Sequence, residues 1–140
     1  MNFENSIREN YVRKVPVNTI IAKSLIKSSK EAIEAAKDIP IIEAKLKTIF
    51  RELYEGLRQY CEAIGYLKGY KFLSHETITY FLKDVLKENS ISIKFDRYRE
   101  LRNKINYYGH DIAKETVIEA LKEIPLIIKS LEKYTKQIFS

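Results

Sequence analysis

The sequence has little of what disulfides and metal sites are built from. Among its 140 residues it has one cysteine and two histidines, which excludes an internal disulfide and a cysteine-rich zinc site. His75 and His110 lie far apart and lack the spacing of helical metal ligands, so we predict neither a metal nor a cofactor. The cysteine, Cys61, is interpreted as a small core residue rather than a nucleophile.

Long apolar runs are also missing. No stretch approaches the roughly 20 uninterrupted apolar residues that cross a bilayer. The N-terminal segment carries charges at Glu4, Arg8, Glu9, Arg13 and Lys14, and it lacks the apolar centre of a signal peptide. The sequence therefore predicts a cytoplasmic protein that does not contact a membrane.

The composition is that of a folded protein, with 45% hydrophobic and 31% charged residues. The length fits one domain over residues 1–140. A formal net charge of +6 permits binding to an anionic partner such as nucleic acid. Because the lysines are spread along the whole chain, charge alone does not locate such a site.

Apolar residues recur at alternating steps of four and three through most of the chain, which is the spacing of one helix face. No segment shows sustained alternation of polar and apolar residues, so no strand is predicted. Capping and terminating residues divide this pattern into five predicted helices. Asn18 caps the first, which extends to residue 38; the second covers residues 42–67 and ends before Gly69. A short helix capped by Ser74 extends to residue 89, the next covers residues 93–108 and ends at Gly109, and Asp111 caps the last. We therefore predict an all-α protein, an antiparallel up-down four-helix bundle with an additional short helix.

Three small residues and a proline lie within the predicted helices. Gly56, Ala63 and Gly65 lie inside the longest predicted helix, where glycine lowers helix stability relative to alanine. These small residues therefore indicate a close helix crossing. Pro125 falls inside the last predicted helix and is expected to kink or split it.

The predicted helix over residues 93–108 has two different faces. At about 100° per residue, its apolar seam consists of Phe95, Tyr98, Leu101, Ile105 and Tyr108. The opposite face carries a polar stripe made of Arg99, Arg102, Asn103 and Asn106, with Tyr107 at its edge. His110 follows the terminating glycine, so helical spacing does not fix its direction.

The polar stripe suits contacts to phosphate and ribose, because guanidinium groups match phosphate geometry, asparagine both donates and accepts, and tyrosine stacks on bases. The alternative from residue types alone is a solvated helix face. On the preceding long helix, Glu52, Arg58 and Glu62 are polar as well, and Arg58 and Glu62 are interpreted as a surface ion pair. His75 is interpreted as an ordinary first-turn residue, with a binding role as the lesser alternative.

Two runs of sequence resemble a known family. The run RYRELRNKINYYGHDI, from Arg97 to Ile112, resembles the signature helix of HEPN domains, small helical bundles of prokaryotic toxin–antitoxin, defence and RNA-processing proteins. The run FRELYEGLRQYCEAIGYLKGYKFLSHETITYFL, from Phe50 to Leu82, is similar to an archaeal branch of that family. The distinctive part is the Arg-Asn pair followed by Tyr-Tyr-Gly.

The resemblance implies a homodimer in which two copies of the motif face each other, and a metal-independent endoribonuclease chemistry. In that chemistry a ribose 2′-hydroxyl attacks the adjacent phosphate, which needs a base at the hydroxyl and a cation at the phosphorane. The family motif is an arginine, often followed by asparagine, with a histidine further along the same helix. Arg102 and Asn103 match its first part, whereas Tyr107 stands where the histidine is expected and His110 follows three residues later.

Other members of the family pair with a nucleotidyltransferase that modifies a tyrosine near the motif.

Three functions therefore stay open. The favoured one is a HEPN-like component of a toxin–antitoxin or defence system that binds RNA, a nucleotide or a nucleotidyltransferase. The residues assigned to binding are Arg99, Asn103, Asn106, Tyr107 and Tyr108. The alternatives are an endoribonuclease with Arg102 and His110 as catalytic residues, and a non-catalytic helical scaffold.

Overall fold

The structure is a computed structural model that describes residues 1–139. The protein is 76% helical, with six α-helices and a two-stranded sheet in the described part of the chain. The helices are α1 (Phe3–Arg8), α2 (Thr19–Asp38), α3 (Leu46–Leu67), α4 (Glu76–Tyr80), α5 (Asn89–Tyr108) and α6 (Lys114–Leu131), and the strands are β1 (Val12–Lys14) and β2 (Tyr70–Phe72). Short 3₁₀ turns cover Glu43–Lys45, Glu132–Tyr134 and Lys136–Ile138, and a π-helical turn covers Phe81–Val85.

Several predicted helix ends are confirmed. The side chain of Asn18 caps α2 by accepting a hydrogen bond from the Ile21 backbone N–H at 3.0 Å. The helix ends at Asp38, before Pro40. Gly109 ends α5 in the left-handed conformation, with a φ of 65°. Local capping chemistry therefore determines these boundaries.

Other predicted boundaries are wrong. Ser74 does not cap the short helix, which begins at Glu76, and α5 begins at Asn89 rather than Ile93. Asp111 does not cap α6, because that helix begins at Lys114 and the Asp111 carboxylate pairs with a lysine of α3 instead.

Pro125 does not split α6, which continues through it to Leu131. The neighbouring residues Ile124, Ile127 and Ile128 are all buried. Burial of these apolar side chains compensates for the hydrogen bond that the proline cannot donate.

The prediction of no strand is also wrong. β1 and β2 form an antiparallel ribbon in which Val12 pairs with Phe72 and Arg13 with Lys71. Each strand has only three residues, too few for a periodic pattern to be visible in the sequence. Val12 and Phe72 are buried, so the ribbon has one face on the core and one in solvent.

The core lies around α3, whose fully buried residues include Ile49, Leu53, Leu57 and Ile64. The predicted close crossing is confirmed at Gly56, where an added Cβ would lie 2.8 Å from the Ile33 Cδ1 of α2. At Gly65 an added Cβ would lie 2.5 Å from the Phe72 ring, so this glycine accommodates the ribbon rather than a helix. Among the described helices, none is long and apolar enough to cross a membrane.

Candidate functional site

The polar stripe of α5 borders an open depression of about 360 Å³. The other wall is the segment that joins β2 to α4. The residues lining this depression, called here the Arg102 depression, are Leu73, Ser74, His75, Glu76, Arg99, Arg102, Asn103 and Tyr107. The structure therefore brings four of the predicted site residues together with His75.

The arginines near the depression differ in their partners. Arg58 on α3 is held between the carboxylates of Glu55 and Glu62, which confirms the predicted Arg58–Glu62 pair. Arg99 pairs with Asp96, with 2.8 Å between its Nη2 and the Oδ1. In residues 1–139, no carboxylate lies within ion-pair distance of Arg102.

Arg102 instead has two uncharged neighbours. Its Nη1 donates to the Asn103 Oδ1 at 3.4 Å, and its guanidinium carbon lies 5.7 Å from the centroid of the Tyr54 ring. A guanidinium over an aromatic face is held in orientation by a cation–π interaction that leaves its N–H groups available. Arg102 therefore remains free to bind an anion.

Tyr54 connects the depression to the core. Its side chain is fully buried on α3 and packs against Phe95 of α5, with 5.8 Å between ring centroids. Its hydroxyl lies 2.9 Å from the Nδ1 of His75. The histidine is therefore held from beneath by a side chain that core packing fixes in place.

His75 is neutral at physiological pH. Burial, and then the nearby charges of Arg58 and Arg102, lower its pKa to about 4, while Glu55 acts in the opposite direction. Desolvation and neighbouring cations both disfavour the imidazolium form. An uncharged imidazole thus lies beside the unpaired guanidinium of Arg102.

The Tyr54 hydroxyl determines which nitrogen of His75 carries the proton. Burial raises the pKa of Tyr54 well above its ordinary value, so this hydroxyl keeps its hydrogen. Nδ1 is the only hydrogen-bond partner of that hydroxyl among the described residues, and a buried donor without an acceptor is costly. The hydroxyl therefore donates to Nδ1, which leaves the imidazole proton on Nε2 as a donor for a ligand.

Two of the predicted site residues near the end of α5, Asn106 and His110, lie outside the Arg102 depression. The Asn106 Oδ1 accepts a hydrogen bond from the Arg51 Nε of α3 at 2.8 Å. His110 is exposed, and its ring centroid lies 6.1 Å from that of Tyr108. The structure therefore does not bring His110 into the depression with Arg102.

The two consecutive tyrosines are both exposed, Tyr107 by 69% and Tyr108 by 74%. Tyr107 lines the depression, as its place at the edge of the stripe predicts. The prediction that Tyr108 belongs to the apolar seam is wrong. The last turn of α5 extends past the core, and Ile105 is the final buried residue of this helix.

His75 and Tyr54 are the site residues that sequence reasoning did not assign. They are 21 positions apart and lie on different elements, so no local spacing rule relates them. The available signal was that His75 is one of only two histidines in the chain. Cys61 is fully buried, and burial raises its pKa to about 12, which confirms a core position.

In the described chain, no group of three histidine, cysteine, aspartate or glutamate side chains is placed to hold a metal ion. The depression offers N–H donors and one carboxylate, that of Glu76, which accepts a hydrogen bond from Tyr80 at 2.6 Å. Such a set of groups fits an oxyanion. No family model, curated protein or solved structure matches this chain.

Proposed function

We propose that this protein binds RNA or a nucleotide through the Arg102 depression, as a HEPN-like component of a toxin–antitoxin or defence system. The observation that carries the proposal is the guanidinium of Arg102, which has no carboxylate partner in the described chain and lies beside a neutral histidine. A phosphate there receives charge-assisted hydrogen bonds from Arg102 and a further one from the Nε2–H of His75.

The surrounding groups favour a phosphate ester over a bare anion. The amide of Asn103 can donate to or accept from a ribose hydroxyl. The exposed ring of Tyr107, at the margin of the depression, offers a surface on which a base can stack. Arg99 adds positive potential, although its pair with Asp96 restricts it to a supporting contribution.

Binding is better supported than RNA cleavage. A base that removes the 2′-hydroxyl proton needs an unprotonated nitrogen facing the substrate, whereas the Tyr54 contact favours a proton on Nε2 of His75. The alternative with Arg102 and His110 as catalytic residues needs those two side chains at one reacting centre. His110 instead lies beyond the end of the helix, with its ring tilted against that of Tyr108.

The proposal includes the architecture and partners that the resemblance implies. The four long helices would form the up-down bundle, with the close α2–α3 crossing at Gly56 as its supporting contact. A homodimer would bring two Arg102 depressions together, and the exposed Tyr108 at the end of α5 is suited to that contact. Sedimentation equilibrium at micromolar concentration tests the dimer, and a monomer would contradict it.

The experiment for the binding site compares two arginines of α5. Arg102→Gln is expected to weaken binding of a fluorescent single-stranded RNA by about 10-fold to 100-fold, the loss typical of charge-assisted hydrogen bonds. The matched control is Arg97→Gln, which removes the same charge from an exposed residue whose Nη1 lies 2.9 Å from the Glu119 Oε1. Anisotropy measures both affinities.

Equal affinity of the two variants would contradict the binding proposal. A nuclease is distinguished by incubating the labelled RNA with the protein in EDTA. Cleavage that is lost in both Arg102→Ala and His110→Ala would replace binding with the endoribonuclease alternative. Intact RNA, bound by the wild type and released by Arg102→Gln, supports binding without cleavage.

A further inference from the structure

We infer that the solvent face of the β1–β2 ribbon continues the Arg102 depression as a track for single-stranded RNA, so that the ligand is a polynucleotide rather than a mononucleotide. This inference rests on the proposed function and specifies its substrate class. It follows from the register of the ribbon, from the charges opposite each other on it, and from its connection to the depression.

The ribbon carries exposed side chains on its solvent side. Val12 and Phe72 pair and are buried, so the neighbouring pair of Arg13 and Lys71 points to solvent. Tyr11 and Leu73 lie just outside the two strands and are joined by a hydrogen bond of 2.9 Å from the Leu73 N–H to the Tyr11 carbonyl, and both are exposed.

The charges on this face are unbalanced. Arg13 and Lys71 lie directly opposite each other, both are exposed, and neither has an ion-pair partner among residues 1–139. Like charges directly across a strand pair are destabilising. A polyanion laid on the ribbon would neutralise both of them.

The aromatic and apolar residues of this face suit a base. Tyr11 is 46% exposed and Leu73 is 44% exposed. Basic side chains beside an exposed aromatic ring are the combination by which proteins bind single strands, with cations on the backbone and bases stacked on the ring.

The ribbon leads directly into the depression. Leu73 belongs to both, because it follows β2 and also lines the depression with His75 and Arg102. Lys71 lies in β2, two residues before Leu73. A single strand that binds Arg102 through one phosphate would continue past Leu73 onto the ribbon.

The occupant is an RNA single strand rather than a protein segment or a duplex. An acidic peptide would satisfy Arg13 and Lys71 but would not use the stacking surface of Tyr11. A duplex keeps its bases stacked on one another and so cannot place one on that ring. Lysines that only protect a sheet edge from aggregation would have no effect on RNA affinity.

The test measures affinity against probe length. Wild-type protein is titrated with adenosine monophosphate and with single-stranded RNAs of about 4, 8 and 12 nucleotides, a range that covers small single-strand sites. Affinity is expected to rise with length. The double variant Arg13→Gln/Lys71→Gln should lose about tenfold on the longest RNA and leave the mononucleotide within about twofold, with the salt slope reduced by roughly 1.4.

The matched control is Lys23→Gln/Lys27→Gln, which removes two exposed charges from α2 and should keep the wild-type affinity and slope. Tyr11→Ala should weaken the binding of single-stranded RNA about fivefold or more and preserve the salt slope, because it removes a stacking surface and no charge. Duplex RNA of the same length should bind more weakly than the single strand.

Failure of this inference is distinguishable from failure of the proposed function. If the ribbon variant binds every probe with wild-type affinity while Arg102→Gln loses affinity for all of them, the track is wrong and the Arg102 site stands. If the α2 control loses as much as the ribbon variant, binding is non-specific and the track is again wrong. If Arg102→Gln binds every probe like wild type, both proposals are overturned.

Discussion

Two regions of the protein each place a histidine near the polar stripe of α5, and these histidines differ in burial and in hydrogen bonding. In the Arg102 depression, His75 is partly buried, neutral and bonded to the Tyr54 hydroxyl. At the end of α5, His110 is exposed and follows a glycine in the left-handed conformation. His110 is closer to Arg102 in sequence than His75 is, yet it does not line the Arg102 depression.

This difference shows that the chemistry of a histidine depends on the element packed beneath it. Tyr54 is buried because core residues of α5 pack against α3, and that packing sets the orientation of His75. At the end of α5 the contacts come from two basic side chains of α3. The Arg51 Nε donates to the Asn106 Oδ1, and the Lys47 Nζ lies 3.4 Å from the Gly109 carbonyl and 3.4 Å from the Asp111 carboxylate. The depression is preorganised, and the helix end is held by exposed polar contacts.

The largest expected difference in unfolding free energy is between substitution of a buried tyrosine and substitution of an exposed one. Tyr54→Ala should lower the free energy of unfolding by about 3–5 kcal/mol, because it removes a fully buried aromatic side chain. Tyr108→Ala should change it by less than about 0.5 kcal/mol, since that ring is exposed. Urea denaturation measures both, and equal losses would contradict the contrast between the two regions.

The next effect is the acid dependence of stability that His75 contributes. Its folded pKa of about 4 lies below the ordinary 6.5, so between these values the unfolded chain binds a proton that the folded chain does not. Stability from this group is therefore complete above pH 6.5 and is lost as the pH falls toward 4. The loss should be on the order of 1–2 kcal/mol after screening at this partly exposed site.

Thermal unfolding of wild type and His75→Asn between pH 7 and 4 measures this effect. We expect the variant to lose less stability than wild type over this range. His110→Asn is the matched control and should keep the wild-type loss. If the His110 variant removes the acid sensitivity instead, the assignment of a buried neutral histidine to the depression is wrong.

A smaller effect is expected at the glycine that ends α5. An added Cβ at Gly109 meets no atom within 4 Å, so the cost of Gly109→Ala comes only from its φ of +65°. That strain amounts to about 1 kcal/mol. Calorimetry should show this loss with RNA affinity unchanged, and a large loss of affinity would place Gly109 itself in the binding site.

The smallest effect is expected for the lysine that contacts the helix end. Lys47→Gln breaks a single exposed ion pair with Asp111 and should cost about 0.5 kcal/mol or less. Denaturation at low and high salt checks this. A loss of 2 kcal/mol or more, well above this range, would mean that the end of α5 is as tightly organised as the depression.

The parts of the fold that sequence could predict were those with a local cause. The helix of α2 follows from the Asn18 cap, and the end of α5 follows from Gly109. The ribbon was missed because its pairing joins Val12 to Phe72, residues far apart in the chain. Helical spacing likewise placed Arg99, Arg102 and Asn103 on one face, whereas the approach of His75 depends on tertiary packing.

The central claim is that the Arg102 depression, with His75 and not His110, receives a phosphate. Proton–nitrogen correlation spectra of protein labelled at its two histidines test this directly during titration with adenosine monophosphate. We expect the His75 ring, protonated at Nε2 in the free protein, to shift on titration while the His110 ring stays in place, and expect Arg102→Gln to abolish the shift. A shift confined to His110 would contradict the account.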